Sequence, residues 1–432
     1  MERDRRRGRA RVPAGRGRPA GGAVPARAAQ SEGRACAPRP ARAGGDRGGG
    51  ARLRAPPPRR RPPSGPDAPA ARCAVSETNE NTARHNPRCA HATREQRPLD
   101  PACTNAEPAL PTSRGPLSEA VIAALAATPG TEGAVAAGAV GTDPLGADHQ
   151  LALLLCYELH YMSFHGVDPQ WEWEPELLRL RGRLERSLLA ELRDRVRSSA
   201  DDAMTALDAI DTAPAGGRGI GDHLLGGGTW EQACEYFVHR SIYQLKESDP
   251  YAWLIPRLRG DVKAALAAVE FDEFGAGRGV RVHAHLFERL LDAAGLDPTY
   301  FAYLDAVPSS TLLVANVATL FGLHRSLRGA AVGHFAVTEL TTGPGARKLE
   351  RALDRLGAPE ACIEFYTEHV EADAVHEQVL RHDVVAPLLA AEPELDADVA
   401  FGVAVTGFVE DAMAEDILAC WDADRSSLLR PL

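Results

Sequence analysis

Glu368-His369-Val370-Glu371-Ala372-Asp373-Ala374-Val375-His376-Glu377 sets two imidazoles and a carboxylate at positions i, i+4 and i+7. An α-helix turns once every ~3.6 residues, so His369, Asp373 and His376 project from one stripe. The flanks favour a helix: Pro359-Glu360 opens the segment, and Cys362, Ile363, Phe365, Tyr366, Val370 and Val375 give it apolar faces to bury. Two buried imidazoles and a buried carboxylate are costly unless a cation compensates them. Two nitrogens and an oxygen converging within two turns form the ligand set that non-haem iron favours. A solvated helix face can carry the same residues, so the motif has to be weighed with the rest of the chain.

Working outward, helical periodicity dominates residues 116–432. Amphipathic patterns cover 117–127, 149–164, 175–210, 229–247, 260–274, 280–294, 310–340, 346–356, 359–389 and 396–421, and strand-like alternation is nearly absent. Proline and glycine fall between them, and a Gly-rich linker spans 129–146. Gly322, Gly329 and Gly333 predict a kink or break inside 310–340, and Gly343-Pro344-Gly345 predicts a break after it. The pattern reads as an all-α fold of about 300 residues with a substantial core. We divide it into an N-terminal helical extension (116–228), which would add a layer, and a metal-binding helical domain (229–432).

Residues 1–115 are a different material. They hold 24 Arg, no Lys and 10 acidic residues, a balance of +14, so the remainder carries −24 to reach the net charge of −10. Runs such as Pro56-Pro57-Pro58-Arg59-Arg60-Arg61-Pro62-Pro63 and Gly48-Gly49-Gly50 lack apolar periodicity, so a core has little to bury. This Arg/Pro/Gly/Ala-rich segment reads as a disordered tail, either a flexible extension or translated upstream sequence. Phosphate binding is the competing reading of so basic a tail, but no motif specifies a nucleic acid. Neither a secretory apolar core nor an 18-residue apolar run occurs, so a cytoplasmic protein without a membrane partner is expected. Eight cysteines give no C-x2-C pair, which argues against a disulfide frame or a thiolate zinc site.

Helical bundles hold metals between inward-facing side chains of different helices, and three further residues suit that role. Glu339 closes an otherwise apolar stretch from Ala330, Glu273 ends a helix before Phe274-Gly275-Ala276-Gly277, and His283 opens the next helix. With these in place the chain resembles the haem-oxygenase-like non-haem diiron oxidases and oxygenases, the iron-containing redox enzyme family. The resemblance covers roughly residues 229–421. It implies metal ligation and catalysis by Glu273, His283, Glu339, His369, Asp373 and His376. Their steps of 10, 56, 30, 4 and 3 residues agree with those of an N-oxygenating member. It further implies a haem-oxygenase-like helical bundle and Glu339 as the carboxylate joining or supporting both metals. Glu247 corresponds to a position from which some relatives offer an extra carboxylate. Its competing reading is a solvated charge at a helix C-terminus.

The implied function is an iron-dependent oxidase or oxygenase with two Fe(2+) per chain and O2 as co-substrate. It would oxidise a small organic molecule by N-oxygenation, hydroxylation, desaturation or oxidative C–C cleavage. The same ligands suit manganese. A small-molecule substrate and an electron donor are the expected partners, and a homodimer is the default for such bundles. The alternative is a non-catalytic ligand- or metal-binding protein on the haem-oxygenase or thiaminase-II scaffold; the latter needs a nucleophilic Cys beside a base, and none stands out. A ferritin-like site would need two Glu-x-x-His motifs, whereas the chain has only Asp373-x-x-His376. Glu158, His160 and His165 read as structural or supporting residues. His285, His324, His334 and His382 read as core or surface histidines, and Arg325 and Arg328 as ion-pair partners.

Overall fold

A computed structural model describes residues 107–130, 141–196, 202–211 and 219–432. The expected disordered tail up to residue 106, and most of the Gly-rich linker, lie outside the described residues. Helices make up the regular structure, with no strand among the described residues. We number them α1 (Pro116–Leu125), α2 (Ala147–Glu158), α3 (Pro175–Arg195), α4 (Ala203–Asp211), α5 (Ile220–Gly226), α6 (Trp230–Gln244), α7 (Asp249–Ala252), α8 (Gly260–Glu273), α9 (His283–Ala293), α10 (Ser309–Leu323), α11 (Arg328–Leu356), α12 (Glu360–Val379), α13 (Ala386–Ala391) and α14 (Asp396–Asp422). No helix among them is long and apolar enough to cross a membrane.

The elements follow from local chemistry. α6 opens on a capping box in which Thr229 and Gln232 satisfy each other's backbone amides. α12 buries Cys362, Phe365, Tyr366, His369, Asp373 and His376, a single stripe with the spacing of one helix face. α11 is the spine of the bundle, lying against α12 on one side and α14 on the other. Helices of the N-terminal extension and of the C-terminal part contribute to one continuous apolar core, with Leu151, Leu155 and Trp171 in the same cluster as Phe321 and Phe335.

Three sequence expectations need correction. The break expected at Gly343-Pro344-Gly345 does not occur, and α11 runs through Pro344. In the turn before the proline Thr341 Oγ1 donates to the Val337 carbonyl at 2.8 Å and Thr342 Oγ1 to that of Thr338 at 2.7 Å, so both hydroxyls are satisfied within the helix. The break in 310–340 falls instead at His324–Leu327, between α10 and α11. Gly329 and Gly333 are not kinks but contact points. A Cβ on Gly333 would lie 2.1 Å from the Val399 carbonyl oxygen, and one on Gly402 2.1 Å from that of Ala330, so α11 and α14 touch backbone to backbone. Finally, 107–115, read as the end of the tail, is tied to the body. The Thr112 amide and hydroxyl donate to the two oxygens of Asp305 at 2.9 and 2.8 Å, and Arg114 donates to the Leu304 carbonyl at 2.7 Å.

Candidate metal centre

Four elements and the segment after α6 bring seven ionisable side chains together. α8 buries Leu266, Val269, Glu270 and Glu273 on one stripe, which points Glu273 inward at the helix end. The chain then reverses through a tight turn. Gly275 takes a φ of +72°, and a Cβ there would meet the Arg281–Val282 peptide at 2.7 Å, so glycine is what lets the turn close. The turn delivers His283, first residue of α9, to Glu273, with His283 Nδ1 and Glu273 Oε2 2.8 Å apart. α11 supplies Glu339 and α12 supplies His369, Asp373 and His376.

These side chains fall into two adjoining groups, Glu247 with His283 and His369, and Glu273 with Glu339, Asp373 and His376. Within each group one donor atom per residue lies within 4.8 Å of the others, and all seven residues are buried. His369 Nε2 is 3.5 Å from Glu247 Oε2. His376 Nδ1 lies 3.1 Å from both Glu273 Oε1 and Glu339 Oε2, and 3.8 Å from Asp373 Oδ1. Glu273 therefore has one oxygen toward each group. Glu339, expected to join or support both metals, lies beside His376 on the side of α11 that packs against α12. Glu247, left between a metal ligand and a solvated charge by the sequence, is buried among them.

The polar accounting of the site is incomplete in an informative way. Glu247 Oε2, Glu273 Oε1, His283 Nδ1, His369 Nε2 and Asp373 Oδ2 are buried and make no well-aligned hydrogen bond, the first four meeting only other members of the cluster at ion-pair distance. Buried polar atoms so poorly satisfied are rare and costly, and five on facing side chains fit a cation-binding cluster. Neighbouring contacts orient the donors. His369 Nδ1 lies 2.7 Å from the Phe365 carbonyl, which leaves Nε2 to face Glu247. Gln244 Nε2 donates to Glu247 Oε1 at 3.0 Å. His376 Nε2 is 3.5 Å from Asp272 Oδ2, whose side chain is 56% exposed and marks a wet edge of the cluster.

Proton affinities show the strain of four carboxyls in one apolar place. Burial, then the charge of Glu339, pushes Asp373 up to about 9. Burial and the charge of Glu273 raise Glu339 as well. Burial also disfavours the charged forms of the other three, but partners outweigh it. His283 and His376 hold Glu273 well below the carboxylate range, Glu247 lifts His369 to about 10, and Glu273 and Glu339 lift His376 to about 11. Without a metal the cluster stores protons; a divalent cation would replace them.

Two acidic residues beside the cluster were not singled out from the sequence. Glu270 is buried, accepts from Ser248 Oγ at 3.1 Å and is pushed up to about 9 by burial. Its place on the 266-269-270-273 stripe was a usable signal. Asp272 had none, since its reach to His376 depends on how α8 crosses α12. Other readings resolve simply: His334 is buried against Tyr251, His285 pairs with Glu288, His324 with Glu185 and Arg328 with Glu392. Burial pushes the thiols of Cys156, Cys234 and Cys362 up to about 12, which suits packing and not nucleophilic work.

Residues 234–407 match the model of a family described as iron-containing redox enzyme, and all seven clustered residues fall inside that span. Over 219 residues the chain is 27% identical to nitrosourea synthase of Streptomyces achromogenes subsp. streptozoticus, covering 49% of this chain and 46% of that protein. The chain thus spans about half the length of the curated relative it matches.

Proposed function

We propose that this chain, whose residues 234–407 match the model of the iron-containing redox enzyme family, is a non-haem diiron oxidoreductase that uses O2 to oxidise a small organic molecule. The observation that carries this reading is the pair of adjoining donor groups whose buried atoms lack well-aligned hydrogen bonds, joined across Glu273. Glu247, His283 and His369 would hold one iron, and Glu273, Glu339, Asp373 and His376 the other. Four carboxylates match the four positive charges of two ferrous ions, so the filled site is neutral in an apolar surround. Two ferrous ions held there would supply the electrons that activate O2. The protein's own part is to fix the donors, keep water from all but the Asp272 edge, and take up or release protons at His376 and Asp373. An external electron donor would reset the site between turnovers.

Among N-oxygenation, hydroxylation, desaturation and oxidative C–C cleavage we favour nitrogen oxidation, because the matched relative is a nitrosourea synthase. The test is anaerobic loading of the full chain with Fe(II), followed by O2 uptake with amine, guanidine and fatty-acid substrates. Two irons per chain and O2 consumption stimulated by a nitrogen substrate are expected. Stimulation by fatty acids alone would move the reaction class. Ferric mineral accumulating beyond two irons per chain would replace oxygenation by storage, and no iron binding would end the proposal.

A further inference from the structure

We infer that Glu158, the last residue of α2, is the counter-ion that holds Lys246 and its segment so that the adjacent Glu247 carboxylate stays with His283 and His369. This rests on the diiron reading for its consequence, but on separate residues for its geometry. Lys246 and Glu158 are 3% and 0% exposed, and Lys246 Nζ donates to Glu158 Oε2 at 2.9 Å. The second oxygen of Glu158 accepts from the Tyr300 hydroxyl at 2.7 Å and the Met162 amide at 3.3 Å, so the carboxylate is fully engaged. The ammonium lies 4.5 Å from the centre of the Tyr161 ring and 5.4 Å from that of Phe301. Phe301 adopts a φ of +58°, a left-handed conformation that disfavours a bulky residue. The loop accepts that conformation while presenting Tyr300 and Phe301 to the pair.

Such a desolvated pair adds little net stability compared with an apolar replacement, whereas removing one partner strands a buried charge. Its value here is therefore placement: it keeps the ammonium from pairing with the carboxylates beside it in its own segment. The segment leaving α6 is held in the backbone by turn bonds, the Lys246 and Glu247 amides donating to the Tyr243 and Gln244 carbonyls at 2.9 and 3.4 Å and the Asp249 amide to the Lys246 carbonyl at 3.1 Å. Side chains add to this: Lys246 is tied to the N-terminal helices, Gln244 to Glu247 itself and Ser248 to Glu270. With Glu158 neutralised, the acidic groups nearest Lys246 along the chain are Glu247 and Asp249. Pairing with either turns the segment and takes the Glu247 carboxylate from the metal side. Glu158 would thus be a positioning residue that makes the N-terminal extension necessary to one half of the centre.

The experiment compares wild type, Glu158→Gln and the double variant Glu158→Gln/Lys246→Met in the full chain. Each is titrated anaerobically with Fe(II) and with Co(II), whose absorption reports its coordination. Amide exchange of residues 245–249 is measured on the metal-free forms. Glu158→Gln should bind the second equivalent about 10- to 100-fold more weakly, the range found when a supporting partner of a metal ligand is removed. Its 245–249 amides should exchange faster. The double variant carries no stranded charge and should recover both properties. Wild-type metal affinity in Glu158→Gln, or a double variant that regains thermal stability but not the second equivalent, overturns the inference. If Glu158→Gln does not fold, the double variant's loading and exchange decide. If wild type binds no metal, the proposed function falls while the exchange comparison still decides the role of Glu158.

Discussion

Glu273 has an oxygen 2.8 Å from His283 and the other 3.1 Å from His376, so a change there is felt in both donor groups. Glu273→Gln should weaken both metal equivalents, Glu339→Gln chiefly the one held with His376, and His376→Ala should abolish that equivalent while helical content stays. Co(II) titration with circular dichroism checks all three; a variant of His376 that still binds two equivalents tightly would exclude it as a ligand. The same residues set the pH response. His369, His376 and Asp373, at about 10, 11 and 9 in the metal-free cluster, hold protons at neutral pH that ligation must remove. The metal-bound state therefore carries fewer protons, so affinity falls as pH is lowered, by about tenfold per unit for each proton released. Calorimetry in buffers of different ionisation enthalpy counts those protons, and an affinity independent of pH would show the cluster to be unprotonated. The His369, Asp373 and His376 stripe was legible because all three lie on one helix. The approach of Glu247 to His369 was not, because it depends on how separate helices rotate and cross.

At the scale of elements, helices could be read from apolar periodicity, but their interruptions could not. Glycine carries the same letter whether it bends a helix or lets two helices touch. Gly329 and Gly333 read as bends and proved to be touching points, while Pro344 read as a stop and lies inside α11. Gly333→Ala should lower stability by about 1–3 kcal/mol, the usual penalty for overpacking, and thermal unfolding measures it. Gly279→Ala, where a Cβ meets nothing within 4 Å, is the matched control and should melt like wild type. Gly275→Ala has a second consequence, since opening its turn draws His283 from Glu273. It should lose metal affinity along with stability.

For the whole molecule, the charge asymmetry of the sequence located a change of material near residue 115, but the anchoring begins earlier. Composition cannot show that Thr112 and Arg114 find partners almost two hundred residues away. A chain beginning at residue 116 should therefore unfold more easily than one beginning at 107, by about 1 kcal/mol for each hydrogen bond lost. Equal melting of the two would mean those bonds contribute nothing. The backbone contacts at Gly333 and Gly402 bear on access to the centre. They clamp α11 to α14, making Glu339 the fixed jaw of a vice, whereas Glu273 and His283 sit on either side of a short glycine turn beside exposed Asp272. The α8–α9 jaw is then the one expected to yield, and amides of residues 274–282 should exchange faster than those of 328–339.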